Sequence, residues 1–168
     1  MDLLKTKKFA QDAHKDQKYG GHPYIKHLQD VYAVLIEQGI KDKEILCAAW
    51  LHDTIEDTST SYEDILNTFS KEIADIVFAV TNEEGKNRKE RNFKTYPKIK
   101  NNKKATILKL ADRIANVKES ISNNPNLLEM YKKEYSSFRE GIFNETFAQE
   151  ITINRMWSYL DTLLNTKT

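Results

Sequence analysis

Apolar side chains recur at intervals of three and four residues along most of the 168-residue chain. This spacing places them on one side of a helix, so the pattern predicts a series of amphipathic helices that each bury one face. The first half of the chain is predicted to hold helices over residues 3–17, from Pro23 to Gly39, from Asp42 through Trp50, around Ile65 to Phe69, and from Ser70 to Val80. Three more are predicted over 105–122, about 126–143 and about 147–164.

Residues with capping chemistry precede several of these helices. Asp42 and Ser70 can accept hydrogen bonds from the free N–H groups of a first turn, and the run Thr60 to Glu63 fits a capping box. The run Gly20 to Pro23 ends the first helix. Only 5 Gly and 3 Pro are present, which disfavours a turn-rich all-β design. We therefore predict an all-α fold, a single-domain helical bundle over residues 1–168.

The composition argues against several partner classes. A net charge of +1 gives no reason to expect nucleic acid or an anionic membrane as a partner. No apolar run approaches the roughly 18 residues of a membrane span, and residues 1–8 are too charged for a signal peptide. The single Cys47 has apolar neighbours, which predicts a buried thiol. We expect a cytoplasmic protein with no obligate protein partner.

Positive charge is nevertheless concentrated in one segment. Residues 86–104 carry nine Lys or Arg against one acid, so their net charge is +8 and that of the rest of the chain is −7. Such a run is either a solvated face or flexible loop, or a surface that holds phosphate groups.

The third predicted helix ends in a cluster of ionisable residues. An apolar run from Ile45 stops at His52 and Asp53, and two more carboxylates follow at Glu56 and Asp57. A charged carboxylate in an apolar setting is costly unless a cation compensates it. Neighbouring residues on a helix point about 100° apart, so the pair can converge on one ion only where the helix unwinds. We therefore predict a metal ion at this helix end.

Two residues from other helices complete the predicted site. His27 lies near the start of the second helix and Asp112 lies within the helix 105–122. Helical bundles build such sites from inward-facing side chains, and a set of two imidazoles and two carboxylates suits manganese, iron, zinc or magnesium. Each residue alone has a blander explanation, as a surface histidine or half of an ion pair. His14 and His22 are expected to face solvent.

Polar residues one turn from the predicted ligands have the chemistry of hydrolysis. Glu56 and Asp57 each follow a ligand by four positions and so share its face if the helix continues. A carboxylate there can take or orient a proton of an attacking water. Tyr24 and Asn116, one turn from His27 and Asp112, could contact the substrate or a ligand.

Three ordered motifs resemble those of the HD-domain hydrolases of the RelA/SpoT homologue group. They are Pro23 to His27 (PYIKH), Leu51 to Thr58 (LHDTIEDT) and Leu108 to Asn116 (LKLADRIAN). The match extends from about His14 to about Arg139, and the chain length resembles the small stand-alone alarmone hydrolases.

This resemblance implies an α-helical HD fold with a motif core over about residues 14–139 and closing helices over about 126–164. It also implies that the cofactor is a manganese ion, Mn²⁺. The implied ligands are His27, His52, Asp53 and Asp112.

The resemblance further implies removal of the 3′-pyrophosphate from ppGpp or pppGpp to give GDP or GTP. Glu56 and Asp57 match the catalytic acidic pair of the family: the first activates or aligns the attacking water, and the second stabilises the arrangement that develops. Phosphoryl transfer requires cations around the pyrophosphate, and the basic segment offers candidates such as Lys89 and Arg91.

One departure from the family affects recognition of the base. Longer relatives have a basic pair before the Pro-Tyr-Ile motif that holds the guanine, whereas this chain has Lys18 and Tyr19. Tyr19 could stack on a purine without demanding guanine. The alternatives are an HD phosphohydrolase acting on another nucleotide, such as an adenosine analogue or a dinucleotide phosphate, and a non-catalytic alarmone-binding module. The intact acidic pair argues against the second alternative.

Overall fold

The computed structural model describes residues 2–165, and helices account for most of them. The helices are α1 (Leu3–His14), α2 (Ile25–Glu37), α3 (Lys43–Leu51), α4 (Thr54–Asp57), α5 (Tyr62–Thr68), α6 (Lys71–Val80), α7 (Arg88–Lys100), α8 (Lys103–Asn123), α9 (Pro125–Ile142), α10 (Glu145–Ala148) and α11 (Ile151–Asn165). Two short strands, β1 (Lys18–Tyr19) and β2 (His22–Pro23), form an antiparallel hairpin. The prediction of an all-α fold is confirmed.

Helix α8 is the helix around which the others pack. It contacts α2, α3, α6, α7, α9 and α11. Leu108 lies on one side of this helix and Leu110, Ile114 and Val117 lie on the opposite side, and each is fully buried. Burial of each such side chain contributes about 1.5–3 kcal/mol to folding. Because α8 has buried residues on nearly all sides, it carries Asp112 into the interior of the molecule.

Side-chain caps fix the starts of the predicted helices. The carboxylate of Asp42 accepts hydrogen bonds from the first turn of α3, and the hydroxyl of Ser70 does the same for α6. The capping box before α5 lies one residue later than predicted. Ser61 Oγ accepts from Asp64 N at 3.1 Å, and Asp64 Oδ2 accepts from Ser61 N at 2.8 Å. The prediction that placed the box on Thr60 to Glu63 was therefore wrong in register.

The segment after α1 differs from the prediction. Helix α1 ends at His14, not at residue 17, and Pro23 lies in β2 rather than in the first turn of α2. Gly20 and Gly21 have positive φ angles of 53° and 86°, which a residue with a side chain rarely adopts. They form the turn that brings Lys18 opposite Pro23. The hairpin thus lies between the first two helices.

The basic segment is largely a helix, α7, and not a flexible loop. Asn87 caps it, and the side chains of Tyr96 and Ile99 anchor it in the core. Pro97 lies inside the helix, where a proline removes a hydrogen bond and costs about 3 kcal/mol or more. That proline and the run of cations obscure the helical pattern in the sequence.

Two expectations about composition can be compared with the structure. Cys47 is free and fully buried, as predicted. Within residues 2–165, no helix combines the length and the apolar character that crossing a membrane requires.

The last predicted helix, over about 147–164, is divided into two. Asn144 caps the short α10, and α11 begins only at Ile151.

Candidate active site

The helical path is interrupted where the metal site was predicted. Helix α3 ends at Leu51 and α4 begins at Thr54, so His52 and Asp53 occupy the break between them. Asp53 has φ −101° and ψ −2°, and the Thr54 hydroxyl donates to the Leu51 carbonyl at 2.7 Å. This local unwinding lets two neighbouring side chains turn toward one point.

All four predicted ligands converge at that point. His52 Nε2 lies 3.0 Å from Asp53 Oδ2 and 3.8 Å from Asp112 Oδ1. His27 Nε2 lies 3.5 Å and 3.4 Å from the same two oxygens. His27, His52 and Asp53 each offer a ligand atom within 4.8 Å of the others. Helices α2 and α8 and the α3–α4 break therefore supply one compact set of donors.

Further hydrogen bonds orient these side chains. His52 Nδ1 lies 2.9 Å from the Ala49 carbonyl, to which it donates, so Nε2 is left to face the site. The Tyr24 hydroxyl donates to Asp53 Oδ2 at 2.7 Å. Asp112 receives Lys109 Nζ on Oδ2 at 2.9 Å and Asn116 Nδ2 on Oδ1 at 2.6 Å.

The charged side chains of the site shift one another's pKa values. Burial lowers the pKa of His27, but hydrogen bonds to Asp112 and Asp53 outweigh it and raise that pKa to about 10. Burial alone would raise the pKa of Asp112, yet the nearby Lys109 ammonium and the two imidazoles hold it well below its usual range. The two imidazoles also hold the pKa of Asp53 well below its usual range, so both carboxylates are ionised at neutral pH.

The residues fit a divalent metal. His52 Nε2 is buried and has no hydrogen-bond partner among the residues that the structure describes. A buried nitrogen lone pair beside two carboxylates is the environment that a cation completes. The donors are of the mixed nitrogen and oxygen type that manganese, iron and zinc accept.

The acidic pair lies at the solvent edge of this site. Glu56 and Asp57 are both exposed and belong to α4, which directly follows Asp53, one of the four predicted ligands. Asn82 holds Glu56 by donating from its backbone N–H at 3.2 Å and from Nδ2 at 2.9 Å. Gln17 Nε2 donates to Asp57 Oδ2 at 3.0 Å. Spacing could not reveal these partners, because both lie far from the acidic pair in the sequence.

Tyr19, which the sequence suggested as a substrate contact, touches the proposed ligands. Its ring stacks on His27 with a centroid distance of 4.7 Å and an interplanar angle of 25°. Its hydroxyl donates to Asn116 Oδ1 at 2.5 Å, and Asn116 in turn donates to Asp112. Together with Tyr24, these residues form a layer around the metal-binding side chains.

The predicted cationic contacts are dispersed. Lys18 is exposed on the hairpin. Lys89 lines a groove of about 950 Å³ between α7 and α9 to which none of the four ligands contributes. Arg91 packs beside Gly85: a Cβ atom added to that glycine would lie 2.9 Å from the backbone nitrogen of Arg91. The structure therefore does not bring Lys89 together with the metal-binding set.

Two buried polar residues were missed or misjudged. His14, expected to face solvent, is only 4% exposed, so that expectation was wrong, whereas His22 is exposed as expected. Arg113 is 4% exposed and lies 3.4 Å from Glu134, which also pairs with Arg88. Tertiary packing buries both residues, His14 against the ring of Tyr24 and Arg113 beside Glu134, and helical periodicity could not anticipate these contacts.

Known proteins share this arrangement of sequence and fold. The family model described as "HD domain" matches residues 7–137. The guanosine-3′,5′-bis(diphosphate) 3′-pyrophosphohydrolase MESH1 of Danio rerio is 35% identical over 122 residues, which are 70% of this chain and 68% of that protein. The guanosine-3′,5′-bis(diphosphate) 3′-pyrophosphohydrolase of Aquifex aeolicus is 37% identical over 122 residues, 70% of this chain but 17% of that longer protein.

A solved structure extends the likeness to the fold. It is that of a metazoan ortholog of SpoT, described as hydrolyzing ppGpp, and it superposes with a TM-score of 0.75 over 93% of both chains. The sequence identity is 23%. At that level the match supports the helical architecture alone.

Proposed function

Because the chain belongs to the HD-domain family, we propose that it is a manganese-dependent (p)ppGpp 3′-pyrophosphohydrolase. The observation that carries the proposal is the convergence of two imidazoles and two carboxylates beside an exposed acidic pair. Relatives named for this reaction, at 35% and 37% identity, support the same substrate class.

The proposal places one Mn²⁺ between α2, α8 and the α3–α4 break. When bound, the ion supplies a water of lowered pKa and positive charge for the phosphoryl oxygens. Tyr24 and Asn116 keep the ligand carboxylates oriented through their hydrogen bonds. The ligands are His27, His52, Asp53 and Asp112.

The acidic pair is proposed to act on the attacking water. Water attacks the phosphorus bonded to the ribose 3′ oxygen, the P–O3′ bond breaks, and the 3′ oxygen ends as a hydroxyl on GDP or GTP while pyrophosphate leaves. Glu56, held by Asn82, takes or orients the proton of that water. Asp57 stabilises the charge arrangement that develops.

Cations near the acidic pair are the proposed phosphate contacts. From Asn82, which holds Glu56, the chain continues within a few residues into the basic first turn of α7. Arg91 and Lys18 are exposed or half-buried, and neither has an ion pair among residues 2–165. Lys89 remains a candidate of the same segment, although its side chain lines the α7–α9 groove.

A second candidate keeps the enzyme class, an HD phosphohydrolase, and changes the nucleotide. The ring of Tyr19 stacks on His27 and its hydroxyl donates to Asn116. A tyrosine also offers no charged donor to the edge of a guanine base. This supports activity on another purine nucleotide, such as the 3′-pyrophosphorylated adenosine analogue or a dinucleotide phosphate.

The domain organisation and location belong to the same proposal. The buried apolar residues from α1 to α11 form one continuous cluster, which supports a single HD hydrolase domain over residues 1–168. The free, buried Cys47 is consistent with a reducing cytoplasm.

The test is to incubate metal-stripped protein with ppGpp, with and without Mn²⁺, and to resolve the products by anion exchange. We expect manganese-dependent release of GDP and pyrophosphate. The proposal fails if ppGpp stays intact while a known hydrolase degrades it. Running the adenosine analogue and a dinucleotide phosphate in parallel separates the two candidates.

A further inference from the structure

His14 is a buried histidine outside the metal-binding set. It closes α1, and only 4% of its surface is exposed. Its Nε2 atom is buried and has no hydrogen-bond partner in the described part of the chain. Hydrophobic packing alone gives no reason for an imidazole here, because an apolar side chain would fill the space without burying an unpaired nitrogen.

The other ring nitrogen begins a short chain of hydrogen bonds. His14 Nδ1 lies 2.8 Å from Gln17 Oε1, and Gln17 Nε2 donates to Asp57 Oδ2 at 3.0 Å. A carboxylate only accepts, so the Gln17 amide must present its nitrogen to Asp57 and its oxygen to His14. His14 therefore donates from Nδ1. The direction of every donor in the chain is thus set by the acid at its end.

The imidazole of His14 is also fixed by stacking. It lies parallel to the ring of Tyr24, with a centroid distance of 4.5 Å and an interplanar angle of 14°. The hydroxyl of the same Tyr24 donates to the ligand Asp53. His14 cannot turn without disturbing a residue that orients the metal site, so its Nδ1–H direction is well determined.

The backbone between His14 and Gln17 takes an unusual path. Lys15 has φ 43° and ψ −114°, the only positive φ of a non-glycine residue in the described range. Residues with side chains rarely adopt this conformation, and it tends to persist where surrounding contacts require it. Here Gln17 N donates to the His14 carbonyl at 2.8 Å, and Tyr24 N donates to the Gln17 carbonyl at 2.9 Å. These hydrogen bonds fix the backbone of Gln17, whose side-chain amide donates to Asp57.

We infer that His14 and Gln17 are positioning residues that aim the Asp57 carboxylate at the reacting water. Asp57 is exposed, and a carboxylate on a single turn of helix would otherwise sample several rotamers in solvent. A neutral amide anchored on a stacked imidazole restricts it without adding a charge. The inference rests on the proposed function, in which Asp57 belongs to the catalytic pair.

The test compares three variants of the manganese-loaded protein with ppGpp as substrate. Gln17→Met removes the amide that links His14 to Asp57 and keeps a side chain of similar length. His14→Phe keeps an aromatic ring on Tyr24 but removes the donor, and His14→Asn keeps an N–H near the Nδ1 position. We expect Gln17→Met and His14→Phe to lower kcat by about tenfold, with KM and manganese affinity nearly unchanged. His14→Asn is expected to keep much of the activity that His14→Phe loses.

Epistasis distinguishes positioning from a general effect on the fold. In an Asp57→Asn background, Gln17→Met is expected to change kcat by less than about twofold, because residues that act as a unit are not additive. Gln11→Met, an exposed position on α1, is the matched control. Equal losses from Gln17→Met in both backgrounds, or an unchanged kcat in Gln17→Met, would overturn the inference.

The result also separates this inference from the proposed function. If Asp57→Asn itself leaves ppGpp hydrolysis intact, the role assigned to the acidic pair is wrong. If Asp57→Asn lowers kcat strongly, to a rate that is still measurable, while Gln17→Met and His14→Phe fold and turn over normally, only the inference fails. Thermal unfolding of each variant establishes that it is folded, and Gln17→Met carries the test if His14→Phe is not.

Discussion

At the scale of single residues, the proposed site consists of four side chains assigned to metal binding and two assigned to the chemistry beside it. His52 Nε2 has no hydrogen-bond partner in the structure described, whereas Glu56 and Asp57 are held by neutral amides of Asn82 and Gln17. Binding and turnover therefore depend on different atoms. Substitutions can separate them.

Glu56→Gln is expected to retain manganese and to lower kcat by about 100-fold or more, because an amide cannot take a proton. Asp112→Ala is expected to lose manganese and activity together, since it removes a ligand and leaves the Lys109 ammonium unpaired. Metal content by atomic emission and ppGpp turnover are measured on the same samples. Glu63→Gln, also an exposed acid, is the control; wild-type turnover in Glu56→Gln would show that another group is the base.

Manganese affinity should increase with pH. The carboxylates raise the pKa of His27 to about 10 from an ordinary value of 6.5, so between these values the metal-free protein binds a proton that the unfolded chain does not. A metal must displace that proton, so affinity should rise about tenfold per pH unit for each proton released. Calorimetric titration with Mn²⁺ at pH 6.5 and 7.5, in buffers of different ionisation enthalpy, measures affinity and proton release.

The raised pKa of His27 also determines the direction in which stability changes with pH. Stabilisation from protonated His27 in the metal-free protein is complete below pH 6.5 and is lost as the pH rises through about 10. Affinity that does not change with pH, without proton release, would contradict this electrostatic account. His22→Ala, at an exposed histidine, should leave both profiles unchanged.

At the scale of elements, capping and periodicity identified most of the helices but not the connections that shape the site. Asp42 and Ser70 cap α3 and α6 as predicted because a cap is a local interaction. Helix α7 was missed because Pro97 and the cations obscure its helical pattern. The buried side chains of Tyr96 and Ile99 hold it against the core. The hairpin was missed because each of its strands has two residues, too few for a periodic pattern.

The contact of α7 with α9 depends on one glycine. A Cβ at Gly141 would lie 2.1 Å from the Tyr96 ring, so Gly141→Ala must displace a buried side chain. We expect the free energy of unfolding to fall by about 1–3 kcal/mol, although alanine is the better helix former. Urea unfolding measures this, and Ser137→Ala, exposed on the same helix, should change it by less than about 0.5 kcal/mol. Equal stability of both variants would show that α7 and α9 can separate at no cost.

At the scale of the whole molecule, the sequence predicted which side chains come together at the proposed metal site, because their joint order is distinctive. His27, His52, Asp53 and Asp112 lie on elements whose burial follows from apolar periodicity, so their convergence could be expected. Asn116, one turn from Asp112, was also a predicted contact, but partners from distant parts of the chain could not be predicted. Gln17 meets Asp57 across 40 positions and Tyr19 meets Asn116 across 97, and no local pattern encodes such pairs.

The most direct test of the central claim is hydrolysis of ppGpp by the manganese-loaded protein in ¹⁸O-labelled water, with mass analysis of both products. We expect one ¹⁸O atom in the pyrophosphate and none in GDP, because water attacks phosphorus and the 3′ oxygen stays with the nucleotide. Label in GDP, or no manganese-dependent product, would contradict it.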